Sequence, residues 1–184
     1  MKCIDAPQYK FCPMCGQPLV TKRPDDDVRV RRVCEHCDFV QYVNPIPVVG
    51  TLPLCGDKVL LCKRAIEPRK GKWTLPAGFM EAHETLLEGA LRETYEETGS
   101  LAKGGALFTI IDVPYASQVH FFFLSEFDSL PMTPGPETQE QRLFSEEEIP
   151  WEDISFTTVA STLRHYFEDR RAGNIRLHCY RLDD

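Results

Sequence analysis

The sequence predicts an α/β protein: a mixed sheet with helices packed on it, preceded by a small metal-stapled module. Three observations predict it. Two Cys-x2-Cys knuckles lie near the start, in a segment too short to build much core of its own. Beyond residue 46, apolar and β-branched runs of strand length alternate with turn residues. Two longer stretches carry apolar residues at helical spacing, each followed by glycine. The boundary falls at residue 45, giving a module of 1–45 and a domain of 46–184 within the 184-residue chain.

The module comes first. Cys12-Pro-Met-Cys15 and Cys34-Glu-His-Cys37 are separated by 18 residues. Knuckles so spaced read as a tetrahedral structural zinc site. A disulfide pair or a redox Cys-x-x-Cys is the weaker reading, since nothing indicates secretion and no βαβ pattern surrounds them. Cys3, Cys55, Cys62 and Cys179 are unpaired by spacing. Cys55 and Cys62 fall in apolar runs and are expected as buried core thiols. His36 reads as a surface residue. A zinc ribbon can also bind nucleic acid, but Lys22, Arg23, Arg29, Arg31 and Arg32 are offset by Asp25, Asp26 and Asp27.

Residues 42–45 read as a linker. Ile46 to Leu54 is a predicted strand, Gly56-Asp57 a turn, and Lys58 to Arg64 the returning strand. Ala65 to Lys72 is a polar loop rich in Arg and Lys. Trp73 to Gly78 reads as a strand running into a tight loop. Thr85-Leu-Leu-Glu88 fits a capping box and starts a helix. Leu87, Ala90, Leu91 and Tyr95 supply its apolar spacing, and Gly99 suits a left-handed stop. Strands are expected over Ala106 to Pro114, Gln118 to Phe127 and Gln139 to Ser145, with a Pro-rich loop at Leu130 to Gly135. A second helix is expected over Thr157 to Ala172, ended by Gly173.

The chemistry is concentrated in residues 78–99. Glu93 and Glu97 are four apart and share a helix face, with Glu96 beside them. Like charges stacked this way destabilise a helix, so the cluster asks for a counter-ion. A solvated acidic face would explain a single Glu pair, but not the whole pattern. Seven residues are fixed in Gly78-x5-Glu84-x7-Arg92-Glu93-x2-Glu96-Glu97-x-Gly99. A chance match is on the order of 10⁻⁸ per starting position at ordinary residue usage. The pattern resembles the signature of the Nudix hydrolases, which cleave nucleoside diphosphates linked to another moiety. Thr94 and Ser100 depart from it at two usually aliphatic positions.

The resemblance implies an α/β/α sandwich from about Pro47 to the final helix. It implies Mg²⁺ or Mn²⁺ held by Glu93, Glu97 and Glu96, with the Ala77 carbonyl joining them. Arg92 is expected to orient a neighbouring carboxylate, and Glu84 to support the loop–helix junction. Glu137 is the first choice for a further metal ligand or base, Glu140 the second. Arg64, Arg69 and Lys72 are the expected substrate cations. Phe79 either stacks a nucleotide ring or sits in the core; Tyr42 is a weaker candidate of the same kind.

A zinc ribbon before this motif resembles the branch with NADH and FAD diphosphatases. The Ser-Gln-Pro-Trp-Pro-Phe-Pro array of NADH diphosphatases is missing: residues 111–118 read Ile-Asp-Val-Pro-Tyr-Ala-Ser-Gln. The run Gly135-Pro136-Glu137 through Arg142-Leu143-Phe144, with Glu148-Ile149-Pro150 beyond it, more closely resembles the zinc-ribbon FAD and ADP-ribose diphosphatases, so the resemblance implies FAD and ADP-ribose ahead of NADH.

The formal net charge is −7, which disfavours general nucleic-acid binding. No stretch is long enough to span a membrane and no signal-peptide pattern is present, so the expected location is the cytoplasm. The expected partner is a small-molecule nucleotide, and a homodimer stays open. The competing reading is a nucleotide-sensing regulator whose ribbon binds nucleic acid. The intact acid cluster favours the enzyme.

Overall fold

The computed structural model describes residues 9–127 and 133–183. Cys3 and part of the expected Pro-rich loop (130–132) lie outside the described residues. The chain divides into two compact units. One holds residues up to Pro45 together with Tyr115–Ser117; the other holds Ile46–Pro114 and the chain from Gln118 onward.

The first unit is a three-stranded antiparallel sheet of β1 (Val20–Lys22), β2 (Arg31–Val33) and β3 (Val40–Gln41). Its core is small: Cys12, Leu19 and Cys34, with Phe39 against them.

The second unit is built on a mixed sheet. It is formed by β4 (Ile46–Cys55), β5 (Lys58–Arg64), β8 (Leu107–Val113), β9 (Gln118–Glu126), β10 (Thr138–Phe144) and β11 (His178–Arg181), and its main path runs β10-β5-β4-β9-β8-β11. Two short strands sit off this path: β6 (Trp73–Thr74) on β5, and β7 (Ala77–Phe79) on β4. β4 and β9 run parallel at the centre, and β11 joins β8 in parallel.

Side chains alternate across the sheet, so each face takes one helix. Helix α1 (Leu86–Thr98) covers the face that carries Val49, Phe121 and Phe123, packing Ala90, Leu86 and Leu87 on them. Helix α2 (Thr157–Ala172) covers the other face. There Phe108 meets Tyr166 edge to face at 6.3 Å, and, because the β8–β9 register shifts between Leu107 and Thr109, Thr109 faces the same helix, its hydroxyl 3.4 Å from that of Thr162. The architecture is therefore the α/β/α sandwich.

Local sequence sets both helices. Thr85 and Glu88 form the reciprocal capping box, and Gly99 closes α1 at φ 74°. Gly173 closes α2 at φ 64°.

Four features differ from the sequence reading. Tyr95 is 51% exposed, while Thr94 and Thr98 are buried in the place expected of it. The helical stripe runs through 90, 94 and 98, and both threonine hydroxyls donate to carbonyls one turn back. Residues 73–78 form two strands rather than one, because Leu75-Pro76 turns the chain from β5 toward β4. Cys62 is fully buried, but Cys55, at the β4–β5 turn, is half-buried. The strand β11 had no sequence signal. It is held by α2: Asp169 accepts from the His178 ring at 2.8 Å and from the Arg176 N–H at 3.0 Å.

Candidate active site

The site forms where β7 meets α1. Gly78 pairs with Val49 of β4, and its missing side chain leaves the space that the Glu93 carboxylate fills. Gly50 does the same one step along β4: a Cβ there would collide with Ala77 and the Pro76 carbonyl. Two glycines thus let strand, loop and helix approach to carboxylate distance.

Arg92 is the hub. It donates two hydrogen bonds to Glu84, Nε to Oε2 at 2.9 Å and Nη2 to Oε1 at 2.8 Å. Its Nη1 reaches Glu93 at 2.7 Å and Glu96 at 3.1 Å, and Nη2 also donates to the Phe79 carbonyl at 3.1 Å. Arg92 holds the Glu84 carboxyl well below its usual range, to about 2. Glu84 further accepts from the Glu81 N–H at 2.7 Å, so it braces the loop leading into α1.

Glu93 and Glu97 behave in the opposite way. Burial pushes the Glu93 carboxyl up, outweighing Arg92, and Glu96 and Glu137 add to the rise. Burial pushes Glu97 up to about 8. The Ala77 N–H, 3.4 Å from Glu97 Oε1, works against this, as does Arg64, while Glu93 and Glu137 reinforce it. Carboxylates that raise one another are a site short of positive charge. Their oxygen donors suit a hard divalent cation.

Glu137 thus belongs to the electrostatic group of Glu93 and Glu97. Glu140 pairs with Lys63 across the β5–β10 ladder at 3.6 Å. Among the cations, Arg64 donates to the Pro68 carbonyl at 2.8 Å and lies over the Phe156 ring at 5.3 Å. Lys72 is tied to Asp153 at 2.6 Å. Arg69 adopts φ 66° in the loop between β5 and β6. Phe79 is 55% exposed and so is not a core residue. Tyr42 belongs to the first unit, where Arg31 stands 5.2 Å over its ring.

The four cysteines form a separate centre. Cys12 and Cys37 sulfurs are 3.6 Å apart, and Cys15 and Cys34 sulfurs 3.4 Å apart. All four sulfurs lie within 4.8 Å of one another, and among the described residues this is the one group of three or more ligands so preassembled. Burial pushes the Cys34 thiol up, but the N–H groups of His36 and Cys37 pull it to about 7, favouring the thiolate that binds metal.

Sequence reading missed Thr51. It is fully buried on β4 and its hydroxyl lies 2.7 Å from that of Thr94. Nothing in its position along an apolar strand marked it.

A family model described as "NUDIX domain" matches residues 44–169, and one described as "Nudix N-terminal" matches residues 10–43. A NUDIX hydrolase from Nitrosomonas europaea superposes with a TM-score of 0.91 at 43% identity, covering 96% of this chain and 100% of that one. A bifunctional NMN adenylyltransferase/ADP ribose pyrophosphatase from Francisella tularensis, solved with AMP and a manganese ion, shares the fold at TM-score 0.58 and 20% identity, over 70% of this chain and 42% of that one. The NAD-capped RNA hydrolase NudC of Salmonella heidelberg (strain SL476) is 28% identical over 158 residues, 75% of this chain. The match spans 60% of that relative's length. No helix among the described residues is long and apolar enough to cross a membrane.

Proposed function

Because this chain belongs to the Nudix family, we propose that it hydrolyses the pyrophosphate bond of nucleoside diphosphates joined to a second group, releasing two monophosphates. The observation that carries this reading is the acid cluster at the β7–α1 junction: Glu93 and Glu96 on Arg92, which also holds the Phe79 carbonyl, and Glu97 against the Ala77 N–H. FAD and ADP-ribose are the favoured substrates, with NADH behind them.

Glu93, Glu97 and Glu96 would hold Mg²⁺ or Mn²⁺, with the Ala77 carbonyl as a further ligand. Such an ion would supply positive charge for the diphosphate oxygens and would make water easier to deprotonate. The rest falls to the chain. Glu137, electrostatically coupled to Glu93 and Glu97, takes the proton from the attacking water. Arg64 and Arg69 meet the substrate phosphates, and Lys72 supports that loop through Asp153. The exposed ring of Phe79 stacks the base. The cysteine centre binds structural zinc.

The test is chromatography of products after incubation with Mg²⁺ or Mn²⁺. FAD should give FMN plus AMP, and ADP-ribose should give AMP plus ribose 5-phosphate. RNA carrying a dinucleotide end belongs in the panel, because relatives are named for that substrate. Cleavage of neither small dinucleotide, beside rapid hydrolysis of a nucleoside triphosphate, would overturn the substrate assignment.

A further inference from the structure

The Nudix-type helix carries a threonine at 94 where an aliphatic residue is usual, and that threonine is fully buried. Its hydroxyl is 2.7 Å from the Ala90 carbonyl, which can only accept. A hydroxyl has one proton, so Thr94 donates to Ala90 and accepts from Thr51. The Thr51 hydroxyl therefore donates to α1. The Thr51 backbone N–H donates to the Pro76 carbonyl at 3.1 Å. Pro76 precedes Ala77, whose own N–H meets Glu97. One residue of β4 thus grips the helix with its side chain and the loop with its backbone.

We propose that the buried Thr51–Thr94 hydrogen bond is a positioning device that fixes where α1 places Glu93 and Glu97 against the Pro76–Gly78 loop. An aliphatic residue at 94 would hold the helix by packing alone; here the hydrogen bond adds a directional constraint on the helix's rotation, and the surrounding core is built around it. Gly50 and Gly78 leave no slack on the loop side, since Ala77 and the Glu93 carboxylate occupy their Cβ spaces. A small turn of α1 would therefore part the carboxylates from the loop. Neither threonine touches substrate. The proposal rests on the reading of these acids as a cation site.

The test compares Thr51→Val, Thr94→Val, the double variant and Thr94→Ser, all in the zinc-loaded full chain. Two properties are measured: melting temperature without added Mn²⁺, and Mn²⁺ affinity from the electron-paramagnetic signal of the free ion. Thr94→Val strands the Thr51 hydroxyl and should lower the melting temperature. The double variant leaves no polar group unsatisfied and should recover most of that loss. Its Mn²⁺ affinity should nevertheless stay weakened by about tenfold, the usual effect of losing a group that orients a ligand. Its kcat should fall more than its KM changes. Thr94→Ser keeps the hydroxyl and should keep the Mn²⁺ affinity, while the lost buried methyl lowers the melting temperature somewhat. Thr51→Val takes the place of the double variant if that one folds poorly, because Thr94 retains its bond to Ala90 and no buried hydroxyl is stranded; the same tenfold weakening is expected of it. A double variant, or Thr51→Val in its place, with parental Mn²⁺ affinity and kcat overturns the proposal. Glu97→Gln separates the two readings: if it leaves Mn²⁺ affinity unchanged, the cation-site assignment itself fails.

Discussion

Gly78 and Glu93 share one space, and this makes the glycine a chemical residue as much as a backbone one. Gly78→Ala would drive its methyl into the Glu93 carboxylate. The strand pairing of β7 can survive, so the expected result is native circular dichroism with kcat reduced by about 100-fold, the scale of a misplaced reacting group. Glu137→Gln should cut kcat heavily, whereas Glu148→Gln, whose carboxylate meets the Ser145 N–H, Lys58 and Arg142, should do little to kcat. A mild effect at 137 would pass the role to Glu140. His120 tests a different property. Burial pulls its ring down to about 4; Nε2 meets Gln118 Oε1 at 2.9 Å, and Nδ1 has no partner among the described residues. The folded pKa lies below the ordinary value of 6.5, so the unfolded chain binds the proton more readily. Stability contributed by neutral His120 should be lost as pH falls from about 6.5 to about 4. The melting temperature of His120→Gln should fall less across that window than that of the parent.

Among the elements, α1 was the most legible. Its capping box, its glycine stop and its acids are all local signals, and short-range hydrogen bonds settle them. Thr85→Ala should cost about 1 kcal/mol by thermal or denaturant unfolding, the usual value of such a cap. The helix's inner face departs from apolar spacing at Tyr95, because the buried Thr94 satisfies its hydroxyl within the helix and so takes the inward position. β11 was illegible for another reason. Its residues follow no alternating pattern, and it is held by long-range partners: the parallel ladder to β8 and the clamp of Asp169 and Ser161 on α2. Asp169→Asn should weaken that clamp by about 1–3 kcal/mol, since the His178 and Arg176 donors lose a charged acceptor. Hydrogen exchange at residues 176–181 should rise; unchanged protection there would show that the β8 ladder alone suffices.

At the scale of the molecule, the four-cysteine centre and the α1 acids are separate claims with separate tests. Spacing alone brought Cys12, Cys15, Cys34 and Cys37 together, because a metal site needs only four ligands at knuckle geometry. Protein purified without added metal should carry about one zinc per chain, by elemental analysis. Disulfides in mass spectra with little zinc would reject that assignment. The acids needed the fold to assemble them, and the supporting contacts of Gly50, Thr51 and Pro76 could not be read from residue types. The most direct measurement of the central claim is kcat on ADP-ribose or FAD as Mn²⁺ is titrated, for the parent and for Glu97→Gln. The account predicts saturable activation in the parent and a maximal rate on the order of 100-fold lower in the variant, within the range for a removed catalytic group. Equal kcat at saturating Mn²⁺ would contradict it.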